Sequence, residues 1–263
     1  MNDQKADEGR ARRPRSAFSL IVLAFIGFAG IAGFLSLGIW QIERRAWKLD
    51  LIERVDQRVH ADPVAAPGPS GWPSINAKTD EYRRVTAAGQ FRNDRETLVT
   101  AVTKDGGGYW VLTPLETKDG FTVLVNRGFV PPDKRDPAQR AAGQIAGEAT
   151  VTGLLRLSEP KGAFLRSNDP ANGRWFSRDV PEIAEARGLD NVAPYFIDAD
   201  ATPNPGGLPI GGLTVIAFQN NHLVYALTWF TLALMVGVAA VRVAREEIRV
   251  RRAASTSPPP ERE

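Results

Sequence analysis

The 263 residues include 43% hydrophobic and 24% charged side chains, two histidines and no cysteine, and the formal net charge is +3. The lack of cysteine excludes disulfides, thiolate metal sites and covalent c-type haem attachment. The positive charge arises in the two ends of the sequence, while the centre is nearly neutral, so we expect no nucleic-acid partner.

Two long uncharged runs lie near the ends of the sequence. Residues 17–41 and 220–241 are mainly apolar, and at ~1.5 Å per helical residue each covers the ~30 Å hydrocarbon core of a bilayer. The sequence therefore predicts two transmembrane helices. For the first run a signal peptide is the alternative, but the run exceeds the roughly 7 to 15 apolar residues of a signal core, which favours an uncleaved anchor.

Arginines are concentrated in the two flanking tails, residues 1–16 and 242–263. Cytoplasmic flanks of membrane helices are enriched in basic residues. We therefore expect both tails to be cytoplasmic. The central residues 63–219 then form a domain on the outer side of the inner membrane, in a periplasm-like space.

A helical pattern continues beyond the first span. In residues 42–62 apolar side chains recur at steps of three or four, with charged residues on the other faces. This predicts an amphipathic extension that docks on the central domain. Within the span, Ala29 and Gly33 have the small-xxx-small spacing that permits close approach of another helix.

Short runs rich in β-branched and aromatic residues follow, separated by turn sequences such as "KDG" that are typical of hairpins. One helix is predicted between them, with Asp179 as N-cap and Gly188 as stop. The predicted strands are 83–91, 96–103, 108–117, 121–130, 149–157 and 193–199, with a last strand over 213–218. The predicted fold is a membrane protein whose two transmembrane α-helices flank a periplasmic α+β domain, mainly an antiparallel sheet or small barrel.

Signatures of most enzyme classes are missing from the sequence. It contains no phosphate-binding glycine loop ending in Lys-Ser/Thr, no HExxH and no G-x-S-x-G elbow. Carboxylates are abundant, but no pair stands out for acid–base chemistry. We therefore expect a protein that is not an enzyme. His60 follows the amphipathic segment, where a solvated side chain is expected.

His222 stands at the entrance to the second span. A neutral imidazole coordinates haem iron, and a site at the membrane boundary lets the macrocycle lie against apolar helix surface with its propionates near water. Tyr225, Ala226 and Trp229 follow at helical spacing on the same face. Histidine and aromatic residues at a helix end are also ordinary interfacial anchors, so composition leaves both interpretations open.

The antiparallel topology brings the outer end of the first span level with His222. Arg44 and Lys48, one helical turn apart, are candidates for charge-assisted contacts with haem propionates. Lipid phosphates, Glu43 or Asp50 are the alternative partners of these two cations.

Four segments carry a family resemblance, and together with the two-helix plan they match across roughly residues 17 to 241. In order and spacing they resemble the successive signatures of the Surfeit locus protein 1 family, the assembly factors of cytochrome c oxidase. The segments are "LGIWQIERRAWK" at 37–48, "GYWVLTPLE" at 108–116, "VLVNRGFVP" at 123–131 and "NNHLVYALTWFTLA" at 220–233.

The resemblance implies a bacterial homologue in the inner membrane, with its domain in the periplasm, that helps insert haem a into cytochrome c oxidase subunit I. It also implies association with haem a synthase, besides contact with membrane lipid. His222 matches the family histidine proposed as an axial haem a ligand. Trp40, Gln41 and Arg44 match as well; we assign Gln41 to the structural motif and Trp40, with Tyr225 and Trp229, to the haem face.

Arg127 and Gly128 also match the central family motif. Their segment "NRGFVPP" ends a predicted strand, and a glycine followed by Val-Pro-Pro suits a turn with a rigid exit. We therefore expect a structural role for both residues.

Two other functions remain open at the level of sequence. The first is an oxidase-assembly scaffold with no cofactor of its own. The second is a two-helix receptor that senses a periplasmic ligand, which the 22 residues after Val241 disfavour because they leave little room for an output module.

Overall fold

The computed structural model describes residues 14–104, 106–160, 166–216 and 218–256. The chain divides into two compact units, one made of Met1–Leu51 with Phe218–Glu263 and the other of Ile52–Ala217. The outer parts of the two predicted tails, residues 1–13 and 257–263, lie outside this description. The described residues form three α-helices, namely α1 (Ala17–His60), α2 (Val180–Arg187) and α3 (His222–Thr256).

α1 and α3 are both long and apolar enough, by length and composition, to cross a membrane. They pack along a narrow seam, in which Ala226 and Ala233 of α3 are buried and the rings of Phe34 and Trp229 stack at 5.8 Å. Outside this seam large apolar side chains are exposed, as at Phe18, which is 76% exposed. The pair of helices therefore keeps most of its apolar surface uncovered.

The glycine that sets the helix contact is Gly38. A Cβ placed there would lie 2.5 Å from the Cε1 atom of Phe230, whereas a Cβ on Gly33 would meet nothing within 4 Å. Ala29 is exposed, like Gly33. Ala29 and Gly33, whose spacing would permit close approach, are therefore not used in the contact with α3, because the seam lies on another face of α1.

Gly38→Leu is expected to force α1 and α3 apart, since added volume at a packed contact costs about 1–3 kcal/mol. A double variant, Gly30→Cys with Val236→Cys, reports on the seam, because a Cβ on Gly30 lies 3.9 Å from Val236 Cγ1 and the chain has no other cysteine. We expect Gly38→Leu to lower the disulfide-linked fraction under mild oxidation. Gly33→Leu is the matched control, and an equal loss in both backgrounds would contradict the assignment of the seam.

The second unit is built on a seven-stranded sheet. Its strands are β1 (Val64–Ala65), β2 (Arg84–Phe91), β3 (Thr97–Thr103), β4 (Gly106–Thr117), β5 (Thr122–Val130), β6 (Glu148–Leu157) and β7 (Val192–Ala199).

Five of these strands close into a barrel in the order β2-β6-β7-β5-β4, and β4 pairs back onto β2 through Gly89 opposite Thr117. β5 and β7 run parallel, and every other neighbouring pair in the ring is antiparallel. This is the arrangement of the five-stranded Greek-key barrel known as the OB-fold. β1 and β3 extend the sheet at its edges.

The barrel wall separates two apolar cores, and β4, β5 and β7 contribute residues to both. In β5, Val123 and Val125 point into the barrel interior, while Leu124 packs outside with Trp175 and Ile183. The outer core therefore lies between the barrel wall and α2, which the Asp179 carboxylate caps by accepting from the amide of Glu182 at 3.3 Å.

The six predicted strands and the helix capped by Asp179 are confirmed, with ends shifted by one or two residues. The last predicted strand, 213–218, is wrong for the residues that the structure describes there, 213–216 and 218. Ile210 pairs with Phe129 instead, and the Thr214 hydroxyl donates to Asp198 at 3.0 Å. This segment is thus held by one bridge and a side chain rather than by a ladder.

The amphipathic extension is continuous with α1 and ends at His60, which is exposed. Its last turns belong to the barrel unit. There Val55 is buried, and the guanidinium of Arg58 donates to the carbonyl oxygens of Lys78 and Glu81. The end of α1 therefore docks on the barrel unit through one apolar and one charged side chain.

Candidate functional site

The structure brings His222 and Gln41 into direct contact. His222 is the first residue of α3, and its Nδ1 atom lies 2.7 Å from Oε1 of Gln41 in α1. An amide oxygen only accepts hydrogen bonds, so with the amide in this orientation Nδ1 is the donor. In the neutral tautomer with that donor, the lone pair lies on Nε2, the nitrogen that can bind a metal.

Such a contact is typical of ligating histidines, whose second ring nitrogen donates to a fixed oxygen that sets the tautomer and the ring orientation. Gln41, expected only to belong to a structural motif, is therefore the residue that orients His222. Two features of the sequence pointed to this pairing. The antiparallel topology puts the outer end of the first span at the same depth as His222, and Gln41 is a polar residue at the end of an apolar run.

The aromatic residues predicted on the haem face occupy different environments. Trp229 is half-buried, and its ring is used in the stack with Phe34. Its Nε1 atom is buried without a hydrogen-bond partner. Tyr225 and Trp40 are 55% and 52% exposed, so both rings are accessible on the surface of the helix pair.

Two cations lie one and two turns beyond Gln41 on α1. The Arg44 guanidinium stands 4.0 Å from the ring centroid of Trp47, and Lys48 Nζ stands 5.3 Å from that of Phe218. In the described part of the chain neither cation has an ion pair, with Glu43, with Asp50 or with any other acid. Both side chains are therefore available to pair with an external anionic group.

Arg127 and Gly128 belong to the barrel unit and are not part of the His222 contact. Gly128 lies inside β5 with φ +131°, and the strand continues to Val130 before the turn. The expected turn at Gly128 is thus displaced by two residues. Arg127 is 2% exposed, and its Nη2 atom donates to Gly143 O at 2.6 Å and to Asn204 Oδ1 at 2.8 Å.

A buried polar cluster on the outer face of the barrel was not anticipated from the sequence. Asp198 is 2% exposed and accepts from Arg156 Nη1 at 2.9 Å, from Arg178 Nη1 at 3.1 Å and from Asn126 Nδ2 at 2.7 Å. The cluster lines an open cavity of about 520 Å³, with Tyr82 and Trp110 among its other walls.

This cluster had a weak signal in the sequence, namely a single acid in the otherwise apolar strand "APYFIDA". Arg156 is also paired with Glu81 and Arg178 with Glu159. Because every charge has a partner of opposite sign, the cluster has the character of a structural network.

The fold and the site define a class of protein. Its sequence has an OB-like barrel between two long apolar helices, and a histidine of the second helix contacts the first. The model of the SURF1 family matches residues 28–234 of the chain. The chain therefore belongs to the SURF1 family.

Similar proteins come from several animals. "Surfeit locus protein 1" of Rattus norvegicus is 37% identical over 243 residues, covering 86% of this chain and 76% of the relative. The protein of the same name from Homo sapiens is 39% identical over 214 residues, 75% of this chain and 69% of the relative. A "SURF1-like protein" of Caenorhabditis elegans is 32% identical over 260 residues, 89% and 77% of the two chains.

Proposed function

We propose that this protein is an assembly factor for a haem a-type cytochrome c oxidase, which binds haem a and assists its insertion into oxidase subunit I. Membership of the SURF1 family, together with the four sequence signatures, supports the pathway. The protein acts without catalysis, as a chaperone of a metalloenzyme. Haem a synthase, as the source, and subunit I, as the acceptor, are its partners.

The observation that carries the proposal is the orientation of His222 by Gln41. The residues present fit a haem, because Nε2 of His222 is an available ligand and Arg44 and Lys48 are cations that pair with no acid among the described residues. Haem would supply an iron atom that binds a neutral imidazole nitrogen. His222 would hold that iron, Gln41 would keep the imidazole in the tautomer that binds, and Arg44 and Lys48 would pair with the propionates.

The same proposal places the helices in a membrane. Large side chains such as Phe25 and Phe28, 70% and 73% exposed, are costly in water and favourable in lipid. The basic flanks favour cytoplasmic termini in the bacterial inner membrane, with the barrel in the periplasm. His222 then lies at the outer boundary of the bilayer, where a lipophilic macrocycle and its charged groups are both accommodated.

Ligation by one histidine also suits a carrier that must release its cargo. A site supplied with a second strong axial ligand would hold the group more tightly and oppose transfer. The site needs to bind haem a more tightly than the surrounding lipid does, and the acceptor must bind it more tightly than the site.

We expect His222→Ala to abolish or strongly reduce haem a in the purified protein, because the substitution removes the ligating nitrogen. The measurement is the absorption spectrum and haem content of protein purified from cells that make haem a. His60→Ala is the matched control, since His60 is the other histidine of the chain and is exposed; it should retain the wild-type content.

A graded variant tests the role of Gln41. Gln41→Leu leaves Nε2 in place but removes the acceptor for Nδ1, and loss of such a partner typically costs 10–100-fold in metal affinity.

Equal haem content in wild type and His222→Ala would remove His222 from the mechanism. Haem-free wild-type protein from haem a-producing cells, combined with reduced oxidase activity on deletion, would instead favour a scaffold with no cofactor.

A further inference from the structure

Arg127 is a buried charge at the end of the barrel interior. Its strand neighbours on the same face, Val123 and Val125, belong to the interior core. The side chain continues this row, and its guanidinium carbon lies 4.7 Å from the ring centroid of Phe91. The barrel interior is thus closed at this end by a cation stacked on an aromatic ring.

No acid in the described part of the chain forms an ion pair with Arg127. Glu96 and Arg140, the two charges that act on Arg127, form a buried bidentate pair with each other. Desolvation by burial lowers the pKa of Arg127 to about 10, an effect that Glu96 opposes and Arg140 reinforces. Arg127 is therefore a buried cation that has no ion pair with a described residue.

The hydrogen-bonding capacity of Arg127 is also incomplete. Nη2 is satisfied by Gly143 and Asn204, but Nη1 is buried and has no hydrogen-bond partner within the described parts of the chain. A buried, unpaired donor on a charged group is costly and calls for an explanation. Most buried guanidinium groups in proteins are paired with a carboxylate or phosphate instead.

A cavity of about 130 Å³ lies beside this guanidinium. Its walls include Arg127, Phe91 and Asn204 together with three threonines, at positions 150, 152 and 202. Asp200 lines it as well, with Oδ1 accepting from the amide of Thr202 at 3.0 Å. The volume is sufficient for a small oxyanion and a few waters.

We propose that the barrel mouth is a binding site for a small carboxylate, whose oxygens accept from the guanidinium of Arg127. A bound carboxylate would supply the ion-pair partner that Arg127 lacks among the described residues, and its plane matches the planar donor. The source is a free carboxylic acid or the carboxyl group of a larger ligand. The site lies in the barrel unit and is independent of His222 and of haem.

The test uses the full chain in detergent, titrated with sodium formate or sodium acetate and followed by calorimetry and by Tm. We expect saturable heat of binding and a Tm that rises with the logarithm of carboxylate concentration. Sodium chloride at matched ionic strength is the control. An equal Tm rise with chloride, or no saturable heat with either carboxylate, overturns the proposal on wild-type protein alone.

Variants locate the site. Arg127→Gln should weaken formate binding by about tenfold or more, because it removes a charged donor, and Arg127→Lys should weaken it less. Arg84→Gln is the control, as Arg84 lies in the barrel wall outside this cavity. Unchanged affinity in a folded Arg127→Gln or Arg127→Lys protein contradicts the assignment.

A peptide ending in a free carboxylate, compared with its amide, separates the two sources of the carboxyl group. Competition between the peptide acid and formate identifies a larger ligand that enters through its carboxyl terminus. Binding of formate without any binding of the peptide acid identifies a free small acid. Either result supports the carboxylate site.

Discussion

Gly128→Ala is expected to leave little or no folded barrel. The residue has φ +131°, and an added Cβ would lie 2.1 Å from the carbonyl oxygen of Ile210. That carbonyl accepts from the amide of Phe129 at 2.9 Å, and the amide of Ile210 donates back to Phe129 at 2.9 Å. Relief of the clash must break this pair, so strain and lost hydrogen bonds together cost about 4 kcal/mol or more.

A loss of this size is a large part of the ~5–15 kcal/mol that stabilises a typical domain. Protease resistance and tryptophan fluorescence of the full chain in detergent measure the effect. Gly107→Ala is the matched control in the neighbouring strand, since a Cβ there meets nothing within 4 Å. If the Gly128→Ala protein resisted protease as well as the control does, the segment around Ile210 would be free to move away from Gly128.

Asp198→Ala should be the second most damaging change. The carboxylate compensates two guanidinium groups, those of Arg156 and Arg178, whose side chains are 13% and 14% exposed. Removing one partner from a buried ionic network typically costs about 3–5 kcal/mol of the free energy of unfolding. The hydrogen bonds from Asn126 and Thr214 are lost with it.

The denaturant midpoint of the full chain, at unchanged slope, measures this loss. Asp169→Ala is the control, because its ion pair with Arg174 is largely exposed on the arginine side and such pairs contribute less than about 1 kcal/mol. Comparable shifts for the two variants would mean that Glu81 and Glu159 already suffice to balance the two arginines.

The strands and α2 were predictable because their signals are local. Alternating apolar residues, turn glycines and the Asp179 cap all act within a few residues. Closure of the barrel was not predictable in the same way. It depends on the pairing of β2 with β4 and of β5 with β7, between residues far apart in sequence, and no pattern within one strand fixes such a register.

In the candidate site, too, local features were predictable from the sequence and contacts between distant residues were not. The apolar runs and the antiparallel topology predict that Gln41 and His222 lie at one level, but only the packed helices show their contact. The face of α1 that contacts α3 was not predictable, since small-residue spacing indicates where helices can approach without showing which face is used. Arg127 was assigned a structural role, and its unsatisfied Nη1 becomes visible only when its neighbours are placed.

The outer apolar core restricts what the barrel can hold. OB-fold barrels bind single-stranded nucleic acids and sugars across the face of their second and third strands, which here are β4 and β5. In this chain Trp175 and Ile183 pack on that face, at 2% and 0% exposure. Residues of this chain therefore cover the face on which other OB-fold barrels bind polymers. Recognition by this protein must then use other surfaces, such as the ends of the barrel or the helix pair.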